Sequence, residues 1–311
     1  MQQRDAAGYP VLLSHQTGGL TMKIRKAVIP AAGLGTRVLP ASKACPKELL
    51  PIVDKPAIQY IVEEAVASGI TDILIILSRG KSMVADHFDR NLELEEKLES
   101  IGKNNIAEEM KAISKLANIQ YIRQTEMKGL GHAISCAKPF VGDEPFAVLY
   151  GDDVIFSDTI PACKELCDAY EKYGKGVVGA KAVPQEHIGR YGSLKAEPLE
   201  ENFYSVSDMI EKPAPGKEFS LYSIMGRCVL PSKIFDLLEN LPAGAGGEIQ
   251  LTDAMKKLAQ TEGMIGVEYH GKRYDMGNKL GILQANIEIG LKHPEIGPEF
   301  RQYLKNLAQF L

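Results

Sequence analysis

The chain has 311 residues, of which 45% are hydrophobic and 24% charged, and its formal net charge is −4. That composition belongs to a globular protein long enough for a substantial core, in one large domain or two small ones, and it excludes a disordered chain. The slightly acidic balance excludes a global basic field for nucleic acid or an anionic membrane, so a site for an anionic substrate has to be local.

The first 21 residues hold only the short apolar run Val11-Leu12-Leu13, too little for a signal-peptide core. With Met22 standing just before the first strand signal, residues 1–21 read as a disordered extension, a leftover of cloning or an upstream mis-start, rather than a regulatory arm. Lys26 to Ala31 reads as a buried strand running straight into a glycine-rich loop. Asp54-Lys55-Pro56 reads as a helix start, with Asp54 as cap and Pro56 in the first turn. Ile58, Ile61, Val62, Ala65 and Val66 then recur at helical spacing, and Gly69 ends the helix. Asp72 to Leu77 is a continuous apolar run, expected for a strand buried on both faces. Strand, loop, helix and strand predict a right-handed βαβ unit and a parallel sheet. Residues 91–117, rich in Glu and Lys, predict a surface helical excursion.

Further strands are expected at Ile119 to Arg123, Phe146 to Tyr150 and Gly176 to Val183. Two shorter antiparallel strands follow near Tyr191 to Lys195 and Ser205 to Ile210, then a strand at Ser223 to Val229 and a helix at Ser232 to Glu239. Asn278 to Lys292 and Pro298 to Leu311 read as C-terminal helices. With no internal repeat or low-complexity linker, one α/β domain with a mixed sheet is the simplest account. No stretch approaches the length of a membrane span. The five cysteines are odd in number and scattered, which argues against a disulfide framework and for a reducing, cytoplasmic setting. Cys163 and Cys167 fit one side of a helix as small buried residues better than they fit a zinc site.

The loop Ala31-Ala32-Gly33-Leu34-Gly35-Thr36-Arg37 lets backbone N–H groups approach a phosphate, because glycine raises no side-chain barrier. It lacks the Gly-Lys-Ser/Thr of a P-loop and the third glycine of a dinucleotide fingerprint. Arg37 and Lys47 add two cations suited to a polyphosphate. On spacing alone a turn with solvated charges fits equally well.

Gly33-x-Gly35-Thr36-Arg37, Pro46-Lys47-Glu48-Leu49-Leu50-Pro51 and Asp54-Lys55-Pro56-Ala57-Ile58-Gln59-Tyr60 together resemble the signature of the sugar-nucleotide pyrophosphorylases. Within them, Ser42-Lys43-Ala44-x-Pro46-Lys47-Glu48, Gly129-Leu130-Gly131-His132-Ala133 and the 91–117 excursion are similar to the bacterial UTP–glucose-1-phosphate uridylyltransferases. The resemblance runs from about Met22 nearly to the C-terminus. It implies a Rossmann-like nucleotidyltransferase fold: a mixed, mostly parallel sheet flanked by helices, small antiparallel sugar-binding strands and C-terminal helices. It places a catalytic domain at 22–290 and, at 291–311, a helical segment packed on that domain or in the interface of a homodimer or homotetramer. Leu304, Leu307 and Leu311 are candidates for such a face.

The resemblance also implies roles. The backbone at Ala31, Ala32 and Gly33 meets the nucleoside, and Gly35, Thr36 and Arg37 meet the triphosphate. Arg37 and Lys47 hold phosphates, Gln124 faces the pyrimidine edge and Gly129 lies beside the base. Gly192 and Glu211 contact sugar hydroxyls, and Lys212 grips the sugar phosphate. The segment Gly246 to Asp253 closes the sugar pocket, unless Asp253 simply caps a helix. Asp152 and Asp275 hold Mg2+, two carboxylates with phosphate and water oxygens being a usual magnesium shell. Taken alone, Gln124, Asp152-Asp153 and Glu211-Lys212 read as ordinary strand-end, turn and surface residues. For His132 a hydrogen-bonded structural role is preferred to catalysis.

The implied activity is UDP-glucose formation from UTP and glucose 1-phosphate, by direct in-line displacement of pyrophosphate, with no nucleic-acid or membrane partner. A thymidylyltransferase is the first alternative, since Tyr150-Gly151 replaces the Leu-Pro usual before the metal acid of the uridylyltransferases. A catalytically silent nucleotide-binding homologue is the second, and a nicotinamide-dependent oxidoreductase a remote third.

Overall fold

The computed structural model describes residues 23–244 and 247–310. The extension expected over 1–21, and also Met22, Gly246 and Leu311, lie outside the described residues. In chain order the strands are β1 (Lys26–Pro30), β2 (Pro51–Ile52), β3 (Lys55–Pro56), β4 (Asp72–Leu77), β5 (Asn118–Arg123), β6 (Phe146–Leu149), β7 (Asp153–Phe156), β8 (Val177–Ala182), β9 (Gly192–Glu200), β10 (Phe203–Glu211), β11 (Tyr222–Leu230), β12 (Met264–Val267) and β13 (Lys272–Asp275). The helices are α1 (Ala57–Ala67), α2 (Met83–Phe88), α3 (Leu92–Ser100), α4 (Asn104–Ile113), α5 (Leu130–Ser135), α6 (Lys138–Val141), α7 (Ala162–Tyr173), α8 (Ile234–Glu239), α9 (Leu251–Glu262), α10 (Lys279–Gly290) and α11 (Gly297–Leu307).

A nine-stranded sheet runs β5-β4-β1-β6-β11-β8-β12-β10-β9. Pairing is parallel from β5 through β6 and again between β8 and β12, and the other joins are antiparallel. The period-2 alternation of strands divides the core between the two faces. From β1, Ala27 and Ile29 pack with Ile58, Ile61 and Val62 of α1, while Val28 packs on the opposite face with Ala133 and Ile134 of α5. This is why β1, β4 and β6 read as unbroken apolar runs. Each fully buried Ile or Val contributes about 1.5–3 kcal/mol of transfer free energy.

Because β5, β4, β1 and β6 are parallel, their C-terminal ends share one edge. The loops that follow them, carrying Gln124, Lys81, the glycine run and Asp152, therefore converge. A contact between Ser193 of β9 and Ser223 of β11, with two register shifts in the β9–β10 hairpin, bends that hairpin toward the same edge and delivers Gly192 and Glu211.

Several expectations are corrected. Asp54 does not cap α1; it lies in the turn of the small β2–β3 hairpin, and the helix starts after Pro56. The short antiparallel strands are nine residues each and belong to the main sheet. Asp253 sits in the first turn of α9, whose cap residue is Gln250. There its carboxylate lies near the positive end of the helix dipole.

Candidate active site

The glycine loop is anchored from behind by a buried ion pair. The Ala31 N–H donates to the Ile76 carbonyl at 2.9 Å, and the Ala31 carbonyl accepts from Lys81 Nζ at 2.6 Å. Lys81 also reaches both carboxylate oxygens of Glu48, at 2.9 and 2.8 Å. Both side chains are buried, and burial pushes the Glu48 carboxyl up and the Lys81 ammonium down. Buried charges persist only when paired and hydrogen-bonded in this way. Both backbone polar groups of Ala31 are thus engaged inside the protein, while Ala32 and Gly33 line one cavity and Arg37 another. Gly35 takes φ +68, a left-handed conformation that suits glycine, and its carbonyl accepts from Ser42 Oγ at 2.7 Å. The turn directs Arg37 toward two carboxylates.

Those carboxylates come from different strand ends. Asp152 follows β6 and Asp275 closes β13, and the Met276 N–H donates to the Asp152 carbonyl at 2.8 Å. Lys47 Nζ lies 2.6 Å from Asp152 Oδ2, and Arg37 lies 3.8 Å from Asp152 and 3.3 Å from Asp275. Burial pushes the Asp152 carboxyl up, but the Lys47 charge and hydrogen bond, helped by Arg37 and Arg273, outweigh it and hold the group below the usual carboxylate value. Burial likewise opposes the charge on Lys47, and Asp152 overcomes it, leaving the ammonium above its ordinary value.

Gly277 makes the close approach possible. A Cβ there would stand 2.7 Å from Asp152 Oδ2 and 2.8 Å from Asp275 Oδ1. The Arg37 guanidinium faces the same position, so the two carboxylates meet beside a cation, and as a donor pair they suit a hard cation that takes its remaining ligands from phosphate and water.

Two cavities share a wall of Leu130, Tyr150 and Asp152. One, of about 280 Å³, is lined by Ala32, Gly33, Lys47, Gln124 and Gly129 among others. The other, of about 440 Å³, takes in Arg37, Gly192, Glu211, Lys212, Thr252 and Asp275. Thr252 Oγ1 donates to Glu211 Oε2 at 2.7 Å. Lys212 stands at φ +44, uncommon for a residue with a side chain, and its N–H donates to the Tyr191 carbonyl.

The residues expected at the nucleotide and sugar sides thus fall largely into two adjoining cavities. Arg37 lines the sugar-side cavity, while Gly35 and Thr36 line neither. His132 Nδ1 meets the side-chain amide of Gln124.

Sequence reasoning missed the cations behind the site. Arg227 is fully buried, pairs with Glu64 of α1 at 2.5 Å, and donates to the Asp153 carbonyl at 2.9 Å. Arg273 holds the Asp153 side chain at 2.5 Å. Burial keeps the Asp153 carboxyl above its usual value in spite of that partner. An arginine inside the apolar strand run SIMGRCVL was the available signal, since such a charge must find a buried partner. Lys81 and Arg273 stand in ordinary surroundings and gave none.

The nucleotidyl transferase family model matches residues 26–290. The chain belongs to this family. A UTP–glucose-1-phosphate uridylyltransferase, YngB of Bacillus subtilis (strain 168), is 53% identical over 287 residues, covering 92% of this chain and 96% of that protein. UTP-bound UGPase from Acinetobacter baumannii superposes with a TM-score of 0.85 at 40% identity, over 91% of this chain and 99% of that one. A UDP-glucose pyrophosphorylase solved in complex with UDP-glucose gives 0.79 at 39% identity, over 87% and 100%. In this nucleotidyl transferase the family match begins at β1 and ends with α10, so it spans both cavities and both carboxylates.

Proposed function

We propose that this nucleotidyl transferase forms UDP-glucose and pyrophosphate from UTP and glucose 1-phosphate by direct in-line displacement. The observation that carries the reading is the pair of adjoining cavities, one walled by the glycine loop and Gln124, the other by Glu211 and Lys212, with Asp152 in their common wall. The resemblance of the whole chain to UTP–glucose-1-phosphate uridylyltransferases supports uridine and glucose as the groups joined.

The attacking oxygen already belongs to a phosphate, so no strong general base is required. The site has to hold two anions in line and neutralise their repulsion. Lys212 holds the phosphate of the sugar. Glu211, positioned by Thr252, and Gly192 face the sugar hydroxyls. Lys47 and Arg37 stabilise charge growing on the departing pyrophosphate. Asp152 and Asp275 fit Mg2+, which when bound supplies further neutralisation between the phosphates. Arg273 and Arg227 keep the turn carrying Asp152 in place by holding Asp153.

The five cysteines are free, in keeping with a cytoplasmic setting. Among the described residues no helix is long and apolar enough to cross a membrane. We also propose a homodimer or homotetramer. Exposed Leu280, Leu283 and Ile287 on α10, with Tyr303 and Leu307 on α11, support it as an apolar surface. Leu304 is half-buried.

Pyrophosphate release measured with Mg2+, glucose 1-phosphate and each nucleoside triphosphate in turn tests the reading. UTP is expected to be the best donor. Release with dTTP well above that with UTP, or none with any triphosphate, would overturn it. A burst of pyrophosphate from UTP alone, with a labelled protein adduct, would overturn direct displacement.

A further inference from the structure

The amide of Gln124 lies at the nucleotide-side cavity, and two neighbours meet its nitrogen. Its Nε2 donates to the Gly129 carbonyl at 3.1 Å and lies 2.9 Å from His132 Nδ1. A carbonyl can only accept, so the amide atom facing Gly129 has to be the NH2, independently of the histidine. His132 Nδ1 must then be the acceptor for the second amide hydrogen, which puts the imidazole proton on Nε2. Both hydrogens of the amide are used inside the protein. Oε1 has no hydrogen-bond partner among the described residues and is the amide atom left for a ligand.

The frame holding this arrangement is stiff. The Gln124 N–H donates to the Leu77 carbonyl at 2.8 Å, and the residue is only 4% exposed. His132 stands in the first turn of α5, where the Gly131 N–H donates to the Ile249 carbonyl at 2.8 Å. The Ile249 N–H in turn donates to the Lys128 carbonyl at 2.7 Å. Gly129, at φ +98, lies against the Glu248 side chain and the Ile249 backbone with no room for a Cβ.

We infer that His132 is a positioning residue for base selection: its unprotonated Nδ1, with the Gly129 carbonyl, turns Gln124 Oε1 toward the base as an acceptor. Such a site accepts a pyrimidine with an imide N–H, as in uracil or thymine, and opposes cytosine, whose ring nitrogen at that place is itself an acceptor. A site built to satisfy a hydrogen bond rejects the partner that leaves it unsatisfied. The inference rests on the proposed nucleotide cavity, and it assigns the discrimination to a pair of residues instead of to Gln124 alone.

Two measurements test it. Long-range proton–nitrogen correlation of the histidine side chains in the ligand-free protein is expected to show His132 as the Nε2-protonated tautomer, and an Nδ1-protonated ring would overturn the inference. Steady-state kinetics with UTP and CTP on His132→Leu and His132→Asn form the second. Asn places an acceptor oxygen where Nδ1 stood, whereas Leu offers none. His132→Leu is expected to raise KM for UTP about tenfold, with a smaller change in kcat, and to narrow the UTP-over-CTP preference about as much. His132→Asn is expected to recover most of both. Equal behaviour of the two variants, whether both impaired or both normal, would overturn the inference. If His132→Leu does not fold, the tautomer of the wild-type ring still decides. Failure of the wild-type chain to use UTP would overturn the functional reading instead, and the tautomer would stand as a separate result.

Discussion

Lys47 and Asp152 lie 105 residues apart in the chain, and the ammonium nitrogen of one stands 2.6 Å from a carboxylate oxygen of the other. The contact joins the nucleotide-side cavity to the carboxylate pair, because Lys47 also lies beside Gly33. Replacing Lys47 by Met removes the cation proposed to face the phosphates and leaves Asp152 less neutralised. A fall in kcat/KM for UTP of about 10²–10³-fold is expected, the usual size for a preorganised charge contact. Steady-state kinetics check this, and retention of activity within about threefold would remove Lys47 from the mechanism.

Gly277→Ala places a methyl against the Arg37 guanidinium and at 2.7 and 2.8 Å from oxygens of Asp152 and Asp275. These side-chain ends have to shift, which disturbs the carboxylate pair proposed to hold Mg2+. The variant is expected to fold, as judged by circular dichroism, yet to need at least tenfold more Mg2+ for half-maximal pyrophosphate release. For the wild-type chain, chelation by EDTA is expected to abolish release and added Mg2+ to restore it. Unchanged metal dependence in the variant would count against the two-carboxylate site.

Lys212 presents its side chain from a left-handed backbone position at the end of β10. Lys212→Ala should lower kcat/KM for glucose 1-phosphate by about 10²-fold or more. UTP affinity, measured alone by calorimetry, should move far less. Equal losses toward both substrates would point to a collapsed site in place of a lost phosphate contact.

Arg227 and Glu64 form a buried pair in which breaking one side leaves an uncompensated charge. Arg227→Met is expected to cost about 3–5 kcal/mol of stability. Replacing both partners by apolar residues of similar volume is expected to recover much of that loss. Urea unfolding of the single and double variants measures the difference, and a single variant as stable as the parent would contradict the expectation.

Asp72, at the start of β4, accepts from Asn118 Nδ2 at 2.8 Å and Thr71 Oγ1 at 2.7 Å, and these bonds hold its carboxyl below the usual carboxylate value. A carboxyl depressed on folding contributes stability above its unfolded pKa, and that contribution is lost as pH falls through the folded value. The stability gap between the wild-type chain and Asp72→Asn is therefore expected to be present at pH 7 and to close on acidification below the unfolded value. Urea midpoints across that range test the sign, and a gap that widens toward acid would refute it.

Much of this protein was legible in its sequence. The apolar runs of β1, β4 and β6 and the helical spacing of α1 declared an α/β core, because the periodicity of each element and its burial are local properties. The ordered motifs around Gly33, Lys47 and Gly129 pointed to nucleotidyl transfer through their resemblance to a family, and that resemblance, not the residues taken alone, assigned roles to Gln124, Asp152, Lys212 and Asp275. What no spacing could supply was which charges meet. Lys47 reaches Asp152, Lys81 holds Ala31 from behind, and Arg273 takes Asp153, each across a long stretch of chain. The parallel strand order brings those residues to one edge, and burial there leaves each charge no stable choice but its partner. The amide of Gln124 shows the same division. Its presence was read from the sequence, but its direction depends on a carbonyl and an imidazole that only the folded chain sets beside it.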